Sequence, residues 1–189
     1  MVPAGYVLKR VTPPPDWLLP APVTDVCSVT ACVNDDVVDV QRAWKHNRFG
    51  LANDPATLLE MAAEAGADLS AATLFYCEAY EEEIGSDGWE FDPGAWEPLT
   101  SVPSAYVETA VAAPGPGLVL LGYDVVVSED FLQHSPLSCN SIAQTLKVNA
   151  HCLFDSLEEA KAAIDSGGFG GGCEPGVYRI YSVYTAPMG

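Results

Sequence analysis

The sequence predicts an α+β domain with a mixed or mainly antiparallel sheet covered by helices, and three observations predict it. Residues 177–185 form the clearest strand: Val177, Arg179, Tyr181 and Val183 alternate with Tyr178, Ile180, Ser182 and Tyr184. Both sets are large and mostly apolar, so this strand belongs inside a sheet and not at its edge. Two helices carry their own start and stop signals, one opened by Asn53 or Asp54 with Pro55 and closed at Gly66, the other opened by Asp155 or Ser156 and closed at Gly167. Strands and helices do not alternate regularly enough for a doubly wound parallel sheet. At 189 residues one compact domain over 1–189 is expected, with sub-lobes 1–100 and 101–189 as the alternative.

Taken in order, residues 5–11 read as a first strand. Pro13, Pro14 and Pro15 stop it, and Trp17, Leu18 and Leu19 read as an apolar plug. Residues 23–33 are β-branched and hold Cys27 and Cys32, as a strand or an extended loop. Next comes an expected helix opened by Asn34 or Asp35. Asp35, Asp36 and Asp39 suit its positive end, Arg42, Lys45 and His46 its negative end, and Val37, Val40, Ala43 and Trp44 fall at helical spacing. After the helix that starts at Pro55, a strand is expected over 74–80, with Glu81, Glu82 and Glu83 at its end and a long aromatic loop over 86–99. Residues 106–112 and 118–127 look like a hairpin across Pro114–Gly117. A short helix is expected over 139–145. Ser156 and Glu159 have capping-box spacing, and Gly170–Gly172 read as a flexible link. No internal repeat is evident.

Charge is distributed very unevenly. No Lys or Arg stands between Phe49 and Leu146, and the net charge of −18 comes almost entirely from that half. Phosphate backbones and anionic lipids attract basic clusters, so direct nucleic-acid or membrane binding is not expected, whereas a basic protein would be steered in. Six irregularly spaced cysteines do not make a disulfide framework, and they are expected reduced and mostly buried. The chain shows no signal-peptide core and no apolar run near the roughly 20 residues of a membrane span. Cytoplasmic localisation is the resulting expectation.

Two kinds of site can be built from these residues. In the acidic, aromatic segment, Glu81, Glu82, Glu83, Asp87, Trp89, Glu90, Phe91, Asp92, Trp96 and Glu97 place rings among carboxylates, the pattern of a protein-binding patch. The other kind draws on Cys and His. His134, Cys139, His151 and Cys173 are zinc-ligand types, although no Cys-x-x-Cys spacing supports them. Alternatively Cys139 at a helix start is a thiolate nucleophile, with His134 or His151 as base and Asn140 orienting it. Gly167–Gly172 lack the Lys and Ser/Thr of a phosphate loop, and Asp87, Glu90 and Asp92 lack calcium-loop spacing.

The leading expectation is a non-catalytic binding protein, with no cofactor, whose acidic surface engages and inhibits a basic protein partner in the manner of immunity proteins or nucleic-acid mimics. The alternative is a Cys/His-site protein, either binding structural zinc or acting as a thiol-dependent enzyme centred on Cys139.

Overall fold

The computed structural model describes residues 1–18, 22–30, 32–33, 35–86, 92–99, 110–129, 132–170 and 172–188. It is an α+β domain in which a mainly antiparallel sheet, curved as a half-barrel, is flanked by three helices. The strands are β1 (Val2–Arg10), β2 (Asp35–Asp36), β3 (Ala72–Ser86), β4 (Pro93–Pro98), β5 (Val119–Glu129), β6 (Leu132–His134) and β7 (Gly176–Ala186). The helices are α1 (Pro55–Glu64), α2 (Pro136–Cys139) and α3 (Leu157–Asp165). Strand order is β2-β1-β3-β7-β5-β6, with β4 paired to the far end of β3. As expected from its alternation, β7 lies inside the sheet, between β3 and β5.

The order is a palindrome, and it reflects a repeat that the sequence reading missed. In the first half Gly5 pairs with Cys77, in the second Gly122 pairs with Val183, and Cys77 and Val183 face each other across the centre. The strands flanking the central pair, β1 and β5, are bulged at the same place, immediately before the glycine. Tyr6 and Ala52 exchange two backbone bonds, and Tyr123 and Phe154 do the same. The Asn47 side chain donates to the Ala4 carbonyl and accepts from the Phe49 and Leu51 amides. Asn149 donates to Leu121 and accepts from His151 and Leu153.

Each glycine is required by this frame. Its φ is +138° at Gly5 and +149° at Gly122, and an added Cβ would lie 2.6 Å from a backbone carbonyl oxygen in both places. Three residues after the Leu of each Asn-x-x-x-Leu motif comes a helix cap. Asp54 accepts from the Thr57 amide and Ser156 from the Glu159 amide. Glycines at positive φ, Gly66 and Gly167, follow the two helices.

The two faces of the sheet are covered differently. Tyr6, Leu8, Leu74 and Tyr76 pack on Leu58 and Ala62 of α1, and Val125, Val127, Tyr178 and Ile180 pack on Ala160, Ala163 and Ile164 of α3. The opposite face, with Val7, Phe75, Cys77, Val126, Tyr181 and Val183, is filled by loop residues Cys27, Val29, Phe49, Leu51 and Leu153.

Several expectations are corrected. Residues 35–46 are not a helix. Lys9 is fully buried in β1 and needs a counter-charge, which Asp36 supplies at 2.6 Å from β2. Asp39 instead caps a turn at Arg42, and Trp44 has a positive φ that ends it. The acidic run does not end a strand, since β3 continues through Glu81, Glu82 and Glu83 to Ser86. Part of the expected aromatic loop is β4, and residues 87–91 lie outside the described residues. Of the expected strand 106–112, only 110–112 are described and they are not in a strand; β5 pairs with β6 and β7 instead. The expected helix at 139–145 is split into α2 and a 3-10 turn, Ile142–Gln144, by Ser141 at positive φ. Leu18 is buried as a plug residue should be, Trp17 is exposed, and Leu19 lies outside the described residues.

Candidate functional site

The halves differ most in one connection. Between β5 and β6 it is only residues 130–131, whereas between β1 and β2 it is residues 11–34, whose described residues form a strap laid over the second half. The Thr24 and Asp25 amides donate to the Ala150 carbonyl, the Cys27 amide to the His151 carbonyl, and the Val29 amide to the buried Asp124 carboxylate. Backbone groups in a strap have no sheet partners of their own, so these bonds fix its path.

Two Cys/His clusters lie where the strap meets the second half. In the first, Cys32 from the strap and Cys139 at the end of α2 form a disulfide, with Cα atoms 5.6 Å apart. The His134 Nδ1 lies 3.5 Å from Cys32 Sγ. Cys32 is exposed, and His134 and Cys139 are half-buried. The ligand-type atoms of all three lie within 4.8 Å of one another. Once reduced, two thiolates and an imidazole could hold a soft divalent metal with one position left open.

Behind the disulfide runs a hydrogen-bonded chain. Thr30 Oγ1 lies 3.5 Å from Cys32 Sγ and 4.0 Å from Cys139 Sγ, and it donates to Ser135 Oγ at 3.1 Å. Ser135 in turn donates to Asp124 Oδ2 at 2.7 Å. Asp124 is wholly buried in β5, and among the described residues its Oδ1 meets no donor in regular geometry. Burial pushes this carboxyl up to about 6, against the opposing bonds from Val29 and Ser135.

The second cluster is built the other way round. Asp25 stands between Cys27 and His151: its Oδ1 is 2.7 Å from His151 Nδ1 and accepts from Cys27 Sγ at 3.2 Å. The imidazole therefore faces a carboxylate and not the sulfur. Burial, then the bond to Asp25, raises the Cys27 thiol far above its ordinary value, so it stays protonated. Cys152 and Cys173 are pushed up to about 12, chiefly by burial, as is Cys77.

The residues singled out in the sequence thus separate. His134 and Cys139 come together, joined by Cys32; His151 goes to Asp25 and Cys27; Cys173 is buried apart from both. Cys139 ends α2 and does not start it, so no helix dipole favours its thiolate. Asn140 donates to the Gly172 carbonyl and the Glu174 carboxylate, away from either histidine. The expectation that all six cysteines are reduced fails at one pair and holds for the other four, which are free and buried. Sequence reasoning missed Asp25, Thr30, Ser135 and Asp124. Only Asp124 carried a signal, as a lone carboxylate inside the apolar run 118–127.

Much of the acidic, aromatic segment meets cations of the chain itself. Glu81 pairs with the N-terminal ammonium, Glu82 with Lys161 at 3.3 Å, and Glu83 with Arg179 at 2.7 Å. Glu83 and Arg179 are both buried, so Glu83 is not a surface charge. Lys161 also sits 4.4 Å from the ring centres of Tyr80 and Trp96, and the Trp96 indole donates to Asp165. Asp92 and Glu97 are exposed, while Asp87, Trp89, Glu90 and Phe91 lie outside the described residues.

No protein-family model matches the chain, and neither a curated protein nor a solved structure matches it. Among the described residues no helix is long and apolar enough to cross a membrane.

Proposed function

We propose that this is a Cys/His-site protein whose Cys32–Cys139 pair is a reversible thiol–disulfide couple. One observation carries the reading: a disulfide joins sulfurs 107 residues apart at an accessible place, with an imidazole nitrogen 3.5 Å from the exposed sulfur. Exchange proceeds through a thiolate, and access and a nearby acid–base group set its rate. The four remaining cysteines are buried, and Cys27, which has His151 nearby, is held protonated by burial and by Asp25.

Equilibration in glutathione buffers of graded ratio, followed by acid quench, alkylation and mass measurement, tests this. The expected result is a two-electron transition confined to Cys32 and Cys139, reversible in folded protein. A disulfide that resists reduction until the protein unfolds would make the pair a structural staple. Tight zinc binding by the reduced protein, blocking reoxidation, would favour the metal reading of the same three residues.

A second reading keeps the acidic surface as a docking face for a basic protein partner. The net charge of −18 and the exposed Asp92 and Glu97 support it. Salt-sensitive association lost on changing Asp92 and Glu97 to Lys is the expected signature.

A further inference from the structure

Two sulfurs that cycle between disulfide and dithiol need two places to put protons, and they sit in different surroundings. Cys32 is exposed and has His134 beside it. Cys139 is half-buried, and the polar group on its inner side is the Thr30 hydroxyl. The single Thr30 proton has two acceptors within reach, Cys32 Sγ and Ser135 Oγ. When it goes to Ser135, which itself donates to Asp124, a lone pair of Thr30 is left to accept from the Cys139 thiol of the reduced protein. In that arrangement every donor in the chain points inward, toward the carboxylate.

We propose that Asp124, acting through Ser135 and Thr30, is a positioning residue that accepts the Cys139 proton during oxidation of the dithiol, while His134 serves Cys32. This rests on the reversible couple proposed above. The Cys32 thiolate attacks one sulfur of a low-molecular-weight disulfide RSSR, forming a mixed disulfide and releasing RS⁻. The Cys139 proton then passes to Thr30 as the Thr30 proton passes to Ser135 and the Ser135 proton to Asp124. The resulting Cys139 thiolate attacks Cys32 Sγ, the intramolecular S–S bond forms, and a second RS⁻ leaves. Asp124 then returns its proton through Ser135 and Thr30 to the RS⁻ departing from Cys32, His134 gives the Cys32 proton to the first RS⁻, and the two thiol protons end on two RSH. Two electrons have moved from the cysteine pair to RSSR.

The surroundings single out Asp124 as the group that can do this. Facing it are Lys9 from β1, Cys77 from β3, Tyr181 from β7, and Cys27 and Cys152 from the loops. Burial raises the two sulfhydryls of the loops, that of Cys77 and the Tyr181 phenol, so all four stay neutral. Lys9 is committed to Asp36. A buried carboxyl titrating close to neutrality can both take and give a proton at physiological pH.

The test is reoxidation of fully reduced protein by oxidised glutathione between pH 5 and 8, quenched by alkylation. The wild-type rate should show an inflection near the Asp124 value of about 6. Asp124→Asn should abolish that inflection and slow reoxidation at pH 7 by about a hundredfold, the low end of general acid–base effects. Thr30→Val keeps the Asp124 bonds to Val29 and Ser135 and should do the same; it decides the matter if the first variant misfolds. Variants that retain the wild-type pH profile would overturn the inference while leaving the redox couple standing. A wild-type protein that does not cycle would sink the couple itself, and the inference with it.

Discussion

The two halves of the sheet share a frame and differ in what was added to it. Gly5 with Asn47 and Gly122 with Asn149 make the same joint, to within a few tenths of an ångström in the contacts of the glycine. Where the first half has Phe49, packed edge-on against Tyr181, the second has His151, turned toward Asp25. Both Cys/His clusters join the strap of the first half to the second half, and neither lies within one half. The lesson is that the repeated frame supplies rigidity, and the unrepeated strap supplies the chemistry.

The strongest way to break this arrangement is to cut the strap loose. A cross-link spanning 107 residues removes much chain entropy from the unfolded state, so Cys32→Ser should lower stability by about 4 kcal/mol relative to the oxidised protein. Denaturant unfolding of wild type with and without reductant checks the value, since reduction should reproduce most of the loss. Next come the two glycines. Gly5→Ala and Gly122→Ala each force a strained φ and a 2.6 Å approach to a carbonyl, and each should cost about 3 kcal/mol or more. If the halves are equivalent frames, the two losses agree; a near-neutral value at either position would deny that joint its role.

A smaller effect separates frame from function. Asn47→Ala and Asn149→Ala each leave a carbonyl and two amides without their side-chain partner, costing about 2 kcal/mol. Only Asn149→Ala also frees the backbone of His151, so only it should speed alkylation of Cys27. Equal alkylation rates in the two variants would mean that the His151 loop is not held by Asn149.

The frame was readable in places and hidden in others for physical reasons. Caps at Asp54 and Ser156 and the alternation of β7 depend on local chemistry, and they stand where the sequence puts them. The repeat depends on few residues: Gly-Tyr at 5–6 and 122–123, and Asn-x-x-x-Leu at 47–51 and 149–153. Unequal connections shift the offset between the pairs, which hides the match. The helix expected from Asn34 or Asp35 to near Gly50 failed because local propensity says nothing of Lys9, a buried cation that claims Asp36 across the sheet. Pairing of Cys32 with Cys139 is a long-range fact, and six cysteines at irregular spacing do not reveal it.

The mildest test concerns the second cluster, which uses the same residue types to opposite effect. Asp25 accepts from Cys27 and faces His151, so it clasps the strap to the second half while holding the thiol protonated. Asp25 and His151 are each about a third exposed, so water weakens their attraction, and Asp25→Asn should cost only about 1 kcal/mol. The chemical effect should be clearer than the energetic one. The hydrogen bond and charge of Asp25 both raise the Cys27 thiol, so removing them lets it ionise more readily, although burial still opposes this. Alkylation of Cys27 in folded, oxidised protein should therefore quicken, while exchange at Cys32–Cys139 keeps its wild-type rate. An unchanged Cys27 rate together with an unchanged melting temperature would show that Asp25 clasps nothing. A slowed exchange at the distant disulfide would instead show that the two clusters work through the strap as one unit.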